Sequence, residues 1–352
     1  MYSTRAIGQA HIYLDSGLIG FSNMSTGLLV RAIGHGLKVA YVDVGGEASK
    51  FTNFLENASL SHSFVKKFDR LHIEIFQFKK NNKVAKAIIP SVEFYTINES
   101  MFWDSFKGFD LVIFENSNFE KVSKEKMINF LKNRDTNLEV VFTMKDSKEF
   151  DEVKDYFDLV SKYNYHENKG FGLRDIFVIT GNGKGKSTYG FGYMIRNFIE
   201  KKDVKLVYFD KGGDFYGERV FFDALKPWSK QNKIYGDFDY VATGMKRFDG
   251  RTFRFENVEG DFREAKEGLM LLRTALKKQS PVIADEINTT IQTGLLELKD
   301  LLKVLDEVKN QLVMTGRYCP PEVFKVAKRI VEVEEVKHYL ATGQQVRKGI
   351  DF

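Results

Sequence analysis

Residues 176–188 read IFVITGNGKGKST: five apolar or β-branched residues, a loop with three glycines, then Lys-Ser at the head of the helical pattern YGFGYMIRNFI (189–199). A short continuous run of this kind predicts a buried strand. A strand, a Gly-rich turn, Lys-Ser and a helix, in that order, predict a loop that cradles phosphate. Gly181, Gly183 and Gly185 lack a Cβ and let the backbone turn and come close to a polyphosphate. The loop N–H groups and the helix N-terminus then form an anion site, with Asn182 and Thr188 completing the nucleotide set. Lys184 and Lys186 are the cations for phosphate oxygens, and Ser187 offers a hydroxyl to Mg²⁺, a hard ion that prefers oxygen. The common spacing G-x-x-x-x-G-K-[ST] asks for Gly at 180; Thr180 stands there, and the loop is one residue short.

Outward from this loop the same grammar recurs. VKLVYF (204–209), PVIAD (281–285) and QLVMT (311–315) are further buried-strand candidates. Asp285 and Glu286 end one of them, where a carboxylate beside a phosphate loop commonly orders Mg²⁺ or water; Asp285 is the metal candidate, and Glu286 serves the metal or the nucleotide sugar. Phe262, Ala265, Leu269, Leu272 and Leu276 form one apolar helical stripe, and Leu298, Leu301, Leu302, Leu305 and Val308 a second, both expected to face a core. Strand–helix alternation with Gly-rich turns predicts an α/β fold, a parallel sheet with helices on both faces.

The first half repeats the second. LKVAYVDVGG (37–46) parallels VKLVYFDKGG (204–213), with five of ten positions identical. IYLDSGLIGFSN (12–23) aligns with FVITGNGKGKST (177–188), and Gly27/Gly192 and Arg31/Arg196 continue that register. FDLVIFENSN (109–118) parallels SPVIADEINT (280–289), and VVFTMK (140–145) parallels LVMTGR (312–317). Four segments in one order predict a tandem duplication, with its junction in the polar stretch 162–175 and domains at 1–170 and 171–352. In the first copy Ser16 stands for Gly181, Leu18 for Gly183, Ile19 for Lys184, Phe21 for Lys186, Val44 for Lys211 and, one residue out of the ungapped register, Asn116 for Glu286. Charge and backbone access are both gone, so this copy is expected not to hold triphosphate.

Composition narrows the class. The chain has 352 residues with a net charge of +5, 43% hydrophobic and 29% charged residues, which is ordinary for a globular protein. The small positive excess does not argue for nucleic acid. One Cys, Cys319, forms no internal disulfide and fits a reducing, cytoplasmic compartment. The first residues are expected to carry no signal peptide, and no run of about 18 uninterrupted apolar residues occurs. Cys319 reads as structural, since no base stands beside it.

The ordered set TGNGKGKST (180–188), FDKGG (209–213), GER (217–219), ATG (242–244), ADEIN (284–288), LVMTGR (312–317), PPEV (320–323), EVKH (335–338) and RKGIDF (347–352) resembles the P-loop corrinoid adenosyltransferases. The short loop with its extra Lys is a trait of that family. The fold implied is two P-loop units, RecA-like or Rossmann-like. The activity implied is transfer of the 5′-deoxyadenosyl group of ATP to the cobalt of a reduced corrinoid, leaving triphosphate, with Mg²⁺ and a reductant protein as companions. The nucleotide lies reversed along the loop relative to kinases, so the C5′–O bond is cleaved. Lys184, Lys186 and Arg317, with Lys211, are then the candidates for stabilising the leaving group. Family members are homodimers in which one subunit covers the other's site, which suggests that the first copy is a built-in partner. Two features depart: Tyr208 stands for the family's Gln, and Met245-Lys246-Arg247 follows ATG where aromatics are usual, with Phe248 and Phe253 as replacement aromatics. A non-enzymatic ATP- or corrinoid-binding sensor or chaperone, and a plain P-loop ATPase, are the competing readings.

Overall fold

The computed structural model describes residues 8–16, 22–44, 50–59, 61, 64, 72–78, 87–89, 92–97, 106–117, 119, 122–213, 216–247, 254–278 and 281–339. In chain order these form β1 (Ala10–Asp15), α1 (Ser22–Gly34), β2 (Lys38–Asp43), α2 (Lys50–Ser59), β3 (His72–Phe78), β4 (Ala87–Ile89), β5 (Val92–Ile97), β6 (Leu111–Ser117), α3 (Lys124–Asn133), β7 (Glu139–Lys145) and β8 (Leu159–Glu167). They continue with β9 (Arg174–Thr180), α4 (Lys186–Ile199), β10 (Val204–Tyr208), α5 (Gly217–Gln231), β11 (Phe238–Ala242), α6 (Glu259–Ala275) and β12 (Val282–Asp285). The last elements are α7 (Ile287–Gln292), α8 (Leu298–Asp306), β13 (Leu312–Thr315), α9 (Pro321–Val326) and β14 (Ala327–Lys337).

Two compact units result. The C-terminal unit holds Asn164–Tyr216 and Leu225–Glu334; the N-terminal unit holds Tyr2–Tyr163, Gly217–Ala224 and Glu335–Phe352. The fold is α/β in both. In the C-terminal unit the strands lie in the order β11-β10-β12-β13-β9-β14, all parallel. Counted by appearance within the unit, that is 3-2-4-5-1-6. The N-terminal unit runs β3-β2-β6-β7-β1-β8, again parallel, and with β4 and β5 left out of the count the order is again 3-2-4-5-1-6. There β5 and β4 extend the sheet past β3, and β4 is antiparallel. The segments that looked alike in sequence thus occupy like places in the strand orders of the two units.

The cores follow from the apolar runs. Ile176, Val178, Val207, Val282, Ala284, Leu312 and Met314 are buried together in the C-terminal unit, under Leu269 and Leu272 of α6 and Leu301 and Leu305 of α8. The α6 stripe needs one correction. Phe262 is exposed, and its neighbour Asp261 is buried instead. The Asp261 carboxylate accepts the Val258 N–H at 2.9 Å and pairs with Arg254 at 2.6 Å, which turns this face of the first helical turn inward and Phe262 outward. In the N-terminal unit a group of buried phenylalanines builds the core: Phe114 stacks on Phe142 at 4.5 Å, with Phe106 and Phe130 edge-on to Phe114. Buried Arg31 of α1 pairs with fully buried Glu218 of α5 at 3.3 Å, within the same unit. Among the described residues no helix is long and apolar enough to cross a membrane.

Candidate functional site

Ligands of open parallel sheets gather at the carboxyl ends of the strands. In the C-terminal unit the four neighbours β10, β12, β13 and β9 end at Lys211, Asp285–Glu286, Thr315–Arg317 and the glycine loop respectively. Gly181 and Gly185 have φ of 100° and 102°, in the left-handed region that favours glycine. Gly185 is the residue before α4, so the first-turn N–H groups of a 14-residue helix open onto the loop. The sequence assigned the glycines to phosphate access. At Gly181 and Gly183 the close neighbour is protein: a Cβ on Gly183 would lie 2.6 Å from the Glu334 carbonyl oxygen, and one on Gly181 2.8 Å from the Val333 nitrogen. The Gly183 N–H donates to the Val333 carbonyl at 2.8 Å. Strand β14 therefore braces the loop, and bare Cα atoms permit that brace.

Lys186 and Ser187 are buried at the start of α4. The Lys186 ammonium turns back on its own loop and donates to the Gly183 carbonyl at 2.6 Å. Ser187, Lys211, Asp285 and Glu286 come together as one cluster. Lys211 Nζ lies 2.6 Å from Asp285 Oδ2, 3.2 Å from Ser187 Oγ and 3.7 Å from Glu286 Oε1. The Ser187 hydroxyl is 3.5 Å from Glu286 Oε1. Tyr208, Phe191 and Tyr216 ring the ammonium at 5.6, 5.9 and 5.7 Å. Asp285 is fully buried. Burial alone would raise its pKa, but the Lys211 charge and hydrogen bonds from Lys211, Thr315 and Ser187 outweigh that and hold the carboxyl below its ordinary range.

Two threonines that the residue patterns did not single out complete the cluster. The Thr315 hydroxyl donates to Asp285 Oδ1 at 2.5 Å and accepts the Glu286 N–H at 3.1 Å. The Thr289 hydroxyl donates to Glu286 Oε2 at 2.6 Å and accepts the Arg317 N–H at 3.1 Å. Glu286 takes φ of 64°, which turns the chain sharply from β12 into α7 and leaves both carboxylates at the strand end. A hydroxyl at the end of the strand beside ADE was the available signal for Thr315. Arg317, by contrast, is exposed and joins the cluster only through its backbone. Asn182 is exposed, Lys184 half-buried and Thr188 buried. Phe248, Phe253 and the terminal RKGIDF lie outside the described residues, as do Leu18, Ile19 and Phe21 of the first copy and the side chain of Asn116. Burial raises the Cys319 thiol to about 12, so it stays protonated at neutral pH.

Where the cluster gathers, the donors are oxygens: one hydroxyl and two carboxylates around a single cation, Lys211 Nζ. That set suits a hard divalent ion, which commonly takes one or two carboxylates and leaves its other positions to water and phosphate. Among the described residues no group of three or more His, Cys, Asp or Glu forms a dedicated metal cage.

The family model for ATP:corrinoid adenosyltransferase BtuR/CobO/CobP matches residues 172–352, slightly more than half of the chain. The chain belongs to this family. A corrinoid adenosyltransferase of Escherichia coli (strain K12) is 31% identical over 181 residues, covering 50% of this chain and 85% of that protein. Corrinoid adenosyltransferase CobA of Salmonella typhimurium is 30% identical over 183 residues, with 50% and 85% covered. An uncharacterized protein of Nostoc sp. is 25% identical over 384 residues, covering 99% of this chain and 96% of its own length. The adenosyltransferase match thus falls on the half that holds the lysine-bearing loop, while the likeness to the Nostoc protein runs through both halves.

Proposed function

We propose that the chain transfers the 5′-deoxyadenosyl group of ATP to the cobalt of a reduced corrinoid and releases triphosphate. The observation that carries this reading is the convergence of Ser187, Lys211, Asp285 and Glu286 at the mouth of the glycine loop, in the half that matches the family. The electron pair of cob(I) attacks C5′, a cobalt–carbon bond forms, and the C5′–O bond breaks with its pair passing to triphosphate. Cobalt rises from +1 to +3, and no proton moves. A general base is therefore not required, and the work of the protein is to align the carbon with the metal and to stabilise the departing anion.

The chain's own residues serve that task. The α4 N-terminus and the loop amides bind the phosphates. Lys186 exchanges the Gly183 carbonyl for phosphate oxygen, and Lys184 and Lys211 add charge. Arg317 reaches the triphosphate by a turn of its exposed side chain. Ser187 and Asp285, with Glu286 beside them, would hold Mg²⁺, which would neutralise phosphate charge. Asn182, Gly181, Gly183, Gly185 and Thr188 form the remaining wall of the ATP site. The corrinoid is met by the apolar surface around the ATG loop, where Met245, Phe255, Val258 and Phe262 are exposed. A reductant protein supplies cob(I), in a cytoplasmic setting.

The N-terminal half, residues 1–170, is read as a duplicated copy that has lost phosphate chemistry and takes the part of a partner subunit. Its shared strand order and buried Val44 support this. Anaerobic turnover with ATP, Mg²⁺ and chemically reduced cobalamin tests the reading. Triphosphate and a cobalt–carbon spectrum are expected, with one ATP bound per chain. Release of ADP and phosphate would indicate an ATPase, and tight ATP binding without cobalt alkylation would indicate a sensor.

A further inference from the structure

Asp210 directly precedes Lys211 and adopts φ of 50°, an uncommon state for a residue with a Cβ. What surrounds it is one arginine. Arg247 Nε donates to Asp210 Oδ1 at 2.7 Å, and its terminal nitrogens reach Asn257 Oδ1 at 2.8 Å and the carbonyls of Arg254, Phe255 and Glu256 at 3.3–3.4 Å. Asp261 Oδ2 lies 3.7 Å away, and Arg254 holds both Asp261 oxygens, at 2.6 and 3.0 Å. The Arg247 side chain is about one-tenth exposed. Two arginines and two aspartates thus form a closed, balanced group, and the Arg247 donors are committed inside it.

The group bears on the phosphate site through the backbone. The Lys211 N–H donates to the Thr243 carbonyl at 3.0 Å. A Cβ on Gly244 would stand 2.7 Å from Asp210 Cα and 2.9 Å from the Lys211 nitrogen, so the ATG turn presses directly on this peptide. The conformation at Asp210 decides where the next side chain leaves the backbone, and that side chain is the one seated between Asp285 and Ser187.

We propose that Arg247 is a positioning residue: it holds Asp210 in the left-handed conformation from which Lys211 reaches the Asp285–Ser187 cluster. The proposal uses the reading of that cluster as an ATP site, and deepens it by naming a residue outside it. Arg247 stands where the resemblance calls for aromatics, so the device belongs to this chain.

The test has one arm with nucleotide and one without. Titration calorimetry with ATP and Mg²⁺ compares wild type, Arg247→Met, Arg247→Lys and the double variant Asp210→Gly/Arg247→Met. Arg247→Met is expected to weaken ATP binding about tenfold, the size of one lost hydrogen bond. Arg247→Lys keeps the charge and the fold but loses the Nε donor and the fork, and moves the same way by a few-fold. Glycine adopts positive φ without help, so the double variant is expected to return to within about twofold of wild type. Unchanged affinity in Arg247→Met, or failure of glycine to restore it, overturns the proposal. In ligand-free protein, hydrogen exchange at the Lys211 amide is expected to speed up about tenfold in Arg247→Met, while the Gly183 amide, held by Val333, stays as it was. Absence of that local change overturns the proposal even if wild type fails to bind ATP, an outcome that would instead remove the proposed function.

Discussion

After the second strand of each unit the chain places one residue in register, and the two choices are opposites. Lys211 follows β10 and sits between Asp285 and Ser187. Val44 follows β2 and is buried in the hydrophobic core of its unit. The carboxylates nearby differ in the same sense. In the C-terminal unit Asp285 ends β12 and is held by an ammonium; in the N-terminal unit Glu115 of β6 is buried and receives the Tyr41 hydroxyl. At the matched place the C-terminal unit carries a paired charge, and the N-terminal unit an apolar side chain near a carboxylate that meets a neutral donor. A common strand order therefore fixes where a site can stand, while a few side chains decide whether it is one.

The sharpest way to break the comparison is to put a lysine at the Val44 position. Val44→Lys is expected to cost about 4 kcal/mol or more, because a charge enters an apolar core without a partner, and to add no second ATP. Urea unfolding and binding stoichiometry measure both, and a second bound nucleotide would contradict the reading of Val44 as a core residue with no part in a site. Next comes the other register pair, Arg31 and Arg196. Arg31→Leu strands a buried Glu218 and is expected to cost about 3–5 kcal/mol, read by the same unfolding assay.

Lys186→Ala leaves the core alone and strikes the loop. Loss of one preorganised cation at a developing charge is expected to slow cobalt alkylation about 10²–10³-fold. The Phe21 side of the comparison has no counterpart effect to lose. A pH series separates the two carboxylate settings. Asp285 titrates below its ordinary value of 3.8, chiefly against its burial and through Lys211. Its contribution is thus present above the unfolded-state pKa and lost as pH falls through the lower native value. Lys211→Met is expected to destabilise the protein at pH 7 and to flatten that acid limb, so that variant and wild type converge once the pH falls below the lowered native value of Asp285. Parallel curves would place the coupling elsewhere. The smallest effect belongs to Arg196→Leu, whose Glu200 partner lies one turn along an exposed helix face; about 0.3–0.5 kcal/mol is expected.

Much of this was legible beforehand, for identifiable reasons. Continuous apolar runs at 176–180, 204–208, 282–285 and 312–315 are buried strands because parallel strands are covered on both faces. The loop could be read from Gly-Lys-Ser after such a strand. The bracing of Gly181 and Gly183 by β14 could not, since Val333 is some 150 residues away and a glycine does not say which backbone approaches it. Thr289 and Thr315 escaped because threonine is common at strand and helix ends. Phe262 misled because its spacing matched the stripe, whereas the inward place was set by a charge network at Asp261. Arg247 looked like a departure from a pattern, and only geometry shows what it holds.

The eight residues Gly217–Ala224 carry the GER segment, which matches the family, yet they lie in the compact unit of the other half. Glu218 has its counter-ion on α1, Phe221 meets Phe64 edge to face, and the Gly217 Cα lies beside the His35 ring. Both contacts join residues far apart in the chain, so a cut at residue 170 would leave the Glu218 carboxylate without Arg31 and the Phe221 ring without Phe64.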